Sequence, residues 1–225
     1  MSSAATRASS APAGYFVAGT DTEVGKTHVA AALIRELVRR GFRVAAMKPV
    51  AAGAQGTDSP RNEDALALAA ASNVTVPYQS LNPYCLRPPV SPHIAAKEAG
   101  IEIDPAVICA EFSKLEAVSD RVIVEGAGGW LAPIGDSQTM EDVAIALGLP
   151  VILVVGLRLG CLNHALLTVR SIRASGLPLA HWIGNSIDPK FERAAQNIAT
   201  LAAALGPPLA VIAHGGTTPA ILADL

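Results

Sequence analysis

Short, uninterrupted apolar runs recur along this chain, each bounded by Gly, Pro or Asn and separated from the next by helical patterning. Tyr15–Gly19, Phe42–Lys48, Arg121–Glu125, Pro150–Gly156 and Leu179–Asn185 are the clearest of these runs. Gly25–Arg40 carries Val29, Leu33 and Leu37 at helical spacing, and Asp142–Leu147, Asn163–Ala174 and Phe191–Leu205 are Ala- and Leu-rich stretches of the same kind. A strand that is apolar on both faces needs cover on both faces, and intervening helices supply it. The pattern therefore predicts an α/β fold with three layers, doubly wound around a mainly parallel sheet. Residues 53–99 are the irregular part, with five prolines between Pro77 and Pro92.

In such a fold ligands bind beyond the carboxyl ends of the strands. The first strand ends in Gly19-Thr-Asp-Thr-Glu-Val-Gly25-Lys26-Thr27 and runs directly into a helix. A turn of this kind aims several backbone N–H groups at one spot, where the helix N-terminus adds about half a positive charge. Lys26 can reach the β- and γ-phosphates of a nucleotide, and the Thr27 hydroxyl can ligate Mg²⁺. Five residues separate Gly19 from Gly25, one more than the usual spacing. The segment predicts a sheet of the P-loop NTPase type that binds a nucleoside triphosphate, with Mg²⁺ as cofactor.

Such a loop needs a carboxylate near its metal, usually at the end of a neighbouring apolar strand. Glu125 fits, and Gly126-Ala127-Gly128-Gly129 behind it allows close approach of backbone to a ligand. Lys48 closes the second run, which should lie beside the loop, although a lone strand-end lysine is also an ordinary surface residue. Asp64, in Arg61-Asn62-Glu63-Asp64, opens an apparent helix, and a first-turn acid alone signifies only dipole complementation. The histidines show no metal-ligand spacing, and Trp130 and Trp182 read as packing residues.

Composition narrows the partners. The 225 residues include 17 basic and 19 acidic side chains without a basic run, which argues against a nucleic-acid surface. Cys85, Cys109 and Cys161 form no CxxC and read as reduced thiols of a cytoplasmic protein. The longest apolar stretch, Leu147–Leu157, is far short of the roughly 20 residues a bilayer requires, so no membrane partner is expected. Residues 1–13, rich in Ser and Ala, read as a disordered tail, and 14–225 as a single domain.

Further blocks are Lys48-Pro49-Val50, Arg61-Asn62-Glu63-Asp64-Ala65, Ser91-Pro92-His93, Val124-Glu125-Gly126-Ala127-Gly128-Gly129-Trp130 and Leu159-Gly160-Cys161-Leu162-Asn163-His164. Together with the loop they resemble, block by block and in order, the dethiobiotin synthetase family. The resemblance implies an ATP-dependent ligase of biotin biosynthesis that takes 7,8-diaminononanoate and CO₂. A substrate carbamate would attack the γ-phosphate, and the second amine would close the cyclic urea. It implies that Thr27, Asp64 and Glu125 hold Mg²⁺, and that Lys26 and Lys48 stabilise carbamate and phosphate charge. Glu23, Val24, Gly25, Lys26, Thr27 and His28 would wrap the phosphates, with Thr22 facing the substrate. Glu125, Gly126, Ala127 and Gly128 would contact both ligands, and Asn185 with Ser186 would meet the base. Gly160, Cys161, Leu162 and Asn163 would bind the substrate carboxylate from the other subunit of a homodimer.

The chain departs from that family's pattern in places. Ala52 stands in the substrate site where Ser or Thr is common after Lys-Pro-Val-Ala, and Val90 replaces a small hydroxyl residue. After the last apolar run the chain reads Ala210-Val211-Ile212-Ala213-His214, without the acid that often grips the nucleotide. Three other readings stand beside the main one. A cobyrinate-type synthase would need a glutaminase domain; an inactive paralogue would be consistent with Ala52. A ParA-like nucleotide switch would need an additional Lys early in the loop, where Asp21 and Thr22 stand.

Overall fold

Each residue of Gly14–Gly19 and of Val151–Leu157 is buried, as expected of strands covered on both faces. The computed structural model describes residues 12–216. In chain order its elements are β1 (Gly14–Gly19), α1 (Lys26–Arg39), β2 (Val44–Met47), β3 (Val50–Ala51), α2 (Glu63–Ala71), α3 (Tyr78–Leu81), β4 (Tyr84–Cys85) and α4 (Pro92–Glu98). There follow α5 (Pro105–Glu116), β5 (Arg121–Glu125), α6 (Met140–Leu147), β6 (Val151–Leu157), α7 (Cys161–Ala174), β7 (Leu179–Ser186), α8 (Ala194–Leu205) and β8 (Ala210–Ile212).

Six strands form one sheet in the order β2-β5-β1-β6-β7-β8, and every pairing in it is parallel. Alternate strand residues point to opposite faces, and the core divides accordingly. Val17, Ala46, Ile123 and Val154 pack with Val29, Leu33 and Leu37 of α1 and Leu68 of α2. Phe16, Met47, Val124 and Leu153 pack on the other face with Ile108 of α5, Val143 of α6, Val169 of α7 and Leu201 of α8. This is the expected three-layer architecture. Trp130 and Trp182 are packing residues, 3% and 1% exposed. The expected tail lies almost entirely outside the described residues.

Differences from the predicted boundaries have local causes. Helix α6 begins at Met140 because Thr139 N donates to Asp142 Oδ2 at 2.7 Å, closing a capping box before the apolar stretch starts. Helix α7 begins at Cys161 because Gly160, at φ 94°, turns the chain into it. Lys48 falls one residue beyond β2, its N–H donating to Leu81 O at 2.8 Å rather than to the main sheet. The irregular 53–99 segment holds three helices and β4, which pairs parallel with β3 in a separate two-stranded sheet.

Candidate active site

Strands β2, β5 and β1 are neighbours, so their carboxyl ends bring Lys48, Glu125 and the Gly19–Thr27 loop to one rim. The loop conformation is set by two residues with positive φ, Glu23 at 60° and Gly25 at 86°. A side chain at Gly25 would also overlap the Asn185 amide, so glycine is required there on two counts. Helix α1 starts immediately afterwards, its first turn aimed into the cleft.

Thr22, Glu23, Gly25, Lys26, Thr27, Lys48, Asp64, Glu125 and Gly128 line one cleft of about 270 Å³. Thr27 Oγ1 donates to Glu125 Oε1 at 2.9 Å. Lys48 Nζ lies 2.5 Å from the same oxygen and 3.1 Å from Asp64 Oδ2. Lys26 Nζ donates to the carbonyl of Asp21, within its own loop, at 2.8 Å. Lys48 thus bridges two carboxylates, while Lys26 is bonded to a neutral oxygen.

Their electrostatics differ accordingly. Burial lowers the pKa of Lys26 to about 8, helped by the Lys48 ammonium and opposed by Glu125, Asp64 and Asp21. Burial acts on Lys48 in the same direction, but Glu125 and Asp64 outweigh it and hold its pKa above the ordinary lysine value. For Asp64, burial raises the pKa but the Lys48 ammonium more than compensates, leaving the carboxyl below its usual range.

Glu125 Oε2 is a buried oxygen with no hydrogen-bond partner, and it faces the same neighbourhood as the Thr27 hydroxyl and Asp64. Hard oxygen donors of this kind fit magnesium, which keeps several waters and binds through one or two carboxylates plus phosphates. Among the described residues no group of three His, Cys, Asp or Glu is placed to hold a metal ion.

The remaining expected residues divide. Gly126 lies over the Phe16 ring, and Gly128 lies beside Thr22. Val24 is buried and its carbonyl accepts from Asn185 Nδ2 at 2.9 Å, so β7 is bonded to the loop. Ser186 O lies 3.1 Å from His214 Nδ1. His28 is exposed on the first turn of α1, and the Ala52 carbonyl accepts from Asn62 Nδ2 at 3.2 Å. Gly160–Asn163 form the entrance to α7 and are not part of the cleft wall. Cys161 is turned into the core, 1% exposed.

Sequence reasoning did not foresee an ion pair that reaches the phosphate loop from the turn before α7. Arg158 Nη2 contacts Asp21 Oδ2 at 2.6 Å, connecting the phosphate loop to the turn before α7. The partners are 137 residues apart and their pairing has no local signal.

A model described as "AAA domain" matches residues 13–217. The ATP-dependent dethiobiotin synthetase BioD of Aromatoleum aromaticum is 54% identical over 215 residues, covering 94% of this chain and 96% of that protein. The chain belongs to the dethiobiotin synthetase family. Solved structures extend the likeness of fold alone. A ParA family ATPase from Chlorobium tepidum has a TM-score of 0.55 at 14% identity, covering 89% of this chain and 85% of that one. The cell-division protein MinD of Aquifex aeolicus has a TM-score of 0.55 at 16% identity, covering 91% and 82%. This chain thus shares its fold with a ParA family ATPase and a cell-division MinD protein, and its sequence with an ATP-dependent dethiobiotin synthetase.

Proposed function

We propose that this chain catalyses ATP-dependent closure of the cyclic urea of dethiobiotin from 7,8-diaminononanoate and CO₂. The observation that carries this reading is Lys48, held between Glu125 and Asp64 in the cleft that also contains the phosphate loop. The reaction needs an anionic carbamate to approach an anionic γ-phosphate. The protein's task is mainly to position the two and neutralise their charge.

In this reading the loop amides and Lys26 bind the phosphates, and Lys48 faces both carbamate and γ-phosphate. Lys26 exchanges the Asp21 carbonyl for a phosphate oxygen. The carbamate oxygen attacks the γ-phosphorus, ADP leaves, and the second amine displaces phosphate from the mixed anhydride to close the ring. Thr22 and Gly128 would border the amines. Thr27, Asp64 and Glu125 would hold Mg²⁺, which when bound supplies charge neutralisation at the β- and γ-phosphates.

The α7 entrance would serve the substrate carboxylate of a second copy, giving a homodimer with shared sites. Two observations support that part. Gly160–Asn163 lie outside their own chain's cleft, and apolar Leu131, Leu159 and Leu167 are 54%, 88% and 55% exposed. Leu131 and Leu167 border a cavity of about 340 Å³ with Thr20 and Gly129.

The test is phosphate release from MgATP and bicarbonate, with and without diaminononanoate, and mass spectrometry of the product. Diamine-dependent release with dethiobiotin formed is the expected result. Release indifferent to the diamine would favour a nucleotide switch, and no release with any nucleotide would favour an inactive paralogue.

A further inference from the structure

Lys48 and Asp64 meet in the cleft, yet neither is fixed by the six-stranded ladder. Lys48 lies one residue past β2, and Pro49 after it has no N–H with which to extend the ladder. Asp64 stands in the first turn of α2, which follows a long loop. We propose that Tyr78 and Asn82 are positioning residues that hold these two groups in register. The proposal rests on the functional reading above and adds to it two residues outside the cleft.

On one side, Asn82 Nδ2 donates to Lys48 O at 2.6 Å and to Tyr84 O at 3.3 Å. Since Lys48 N donates to Leu81 O, both main-chain polar groups of Lys48 are bonded within the α3–β4 segment. On the other side, the N–H of Asn62 donates to Tyr78 Oη at 2.8 Å. Asn62 is the N-cap of α2, its Oδ1 accepting from Ala65 N at 3.2 Å, two residues before Asp64. The two sides join where Tyr78 Oη donates to Asn82 Oδ1 at 3.1 Å. The chain of bonds therefore runs from the α2 cap through one phenol to the backbone of Lys48. Asn62 and Asn82 are 7% and 2% exposed, so these bonds are shielded from water. The Arg61 guanidinium lies 4.4 Å over the Tyr78 ring and fixes its plane, while Cys85 Sγ, 3.6 Å from Tyr78 Oη, adds a weaker contact. Misplacing a charged group by about 1 Å is enough to lower a rate a hundredfold.

Tyr78→Phe keeps the ring and its cation contact and removes the link. ADP binding is measured calorimetrically across a range of Mg²⁺ concentrations, a readout that needs no turnover. Loss of an outer partner of metal-binding groups typically weakens metal affinity by about tenfold or more. The Mg²⁺ concentration giving half-maximal tightening of ADP is expected to rise by about that factor, and kcat to fall more than the KM for ATP changes. Asn82→Ala breaks the same link at its other end and is expected to move the midpoint in the same direction, which decides the matter should Tyr78→Phe not fold. Ser80→Ala is the control. It lies on the same short helix and breaks a buried bond to Glu111 at 2.7 Å, so it should lower Tm but leave the Mg²⁺ midpoint in place. An unchanged midpoint in Tyr78→Phe, or an equal shift in Ser80→Ala, would overturn the positioning role. Wild-type protein whose ADP affinity ignores Mg²⁺ would instead overturn the underlying functional reading.

Discussion

Lys26 and Lys48 share one cleft and are both buried, but the contacts to carboxylates belong to Lys48. Lys26, with a pKa of about 8, gives up its proton in the free protein well before an ordinary lysine does. A triphosphate laid beside it favours the charged form. Nucleotide affinity is therefore expected to be level from about pH 6.5 to pH 8 and to fall above it, since binding must then recover a proton. Calorimetric titration of MgADP at pH 7, 8 and 9 checks this, and equal affinity at all three would show that Lys26 stays charged without phosphate. The sign reverses for the free fold. Between about pH 8 and 10 the unfolded chain holds the Lys26 proton that the folded chain has released, so this residue's contribution to stability rises with pH there.

Among the elements, β7 and β8 end where the proposed base site would lie. Asn185 spends its Nδ2 on Val24 O, leaving Oδ1 as an acceptor, and His214 follows β8 with its Nδ1 against Ser186 O. The run Ala213-His214-Gly215 contains no acid. Few fixed base contacts give little discrimination. We expect kcat/KM for ATP, CTP and GTP to agree within about tenfold, and a hundredfold preference for ATP would refute the argument. The elements also show what a sequence discloses. Arg121–Glu125 and Gly19–Thr27 are legible because apolar continuity and glycine spacing are local signals. The start of α7 is less so, because it depends on the backbone of Gly160. Tyr84–Cys85 is a strand only because Val50–Ala51, more than 30 residues earlier, lies beside it. For the same reason Glu125 and Lys26 could be read from their motifs, whereas the placing of Lys48 against Asp64 was available only through family resemblance. The pairing of Asp21 with Arg158, and the bonds of Tyr78 to Asn62 and of Asn82 to Lys48, carried no signal, since each joins residues distant in sequence.

At the scale of the whole molecule, one chain supplies the phosphate cleft but leaves the α7 entrance outside it. If a second copy completes the substrate site, activity depends on protein concentration. Specific activity with saturating diaminononanoate should fall on dilution through the dimer dissociation constant, while MgADP binding should not. Constant specific activity down to concentrations where sedimentation shows monomers would mean that one chain suffices.

The all-parallel sheet has a consequence for how such a chain can change over generations. Because every main-sheet strand points the same way, the turns at Gly41, Gly148, Gly176 and Gly206 all fall at the rim opposite the cleft. Insertions there should disturb only local turns, whereas a change at the opposite rim reaches the cleft that Lys26, Lys48 and Glu125 share. Drift should therefore collect at one pole of the molecule, and a family of such proteins should diverge like a tree rooted at the other.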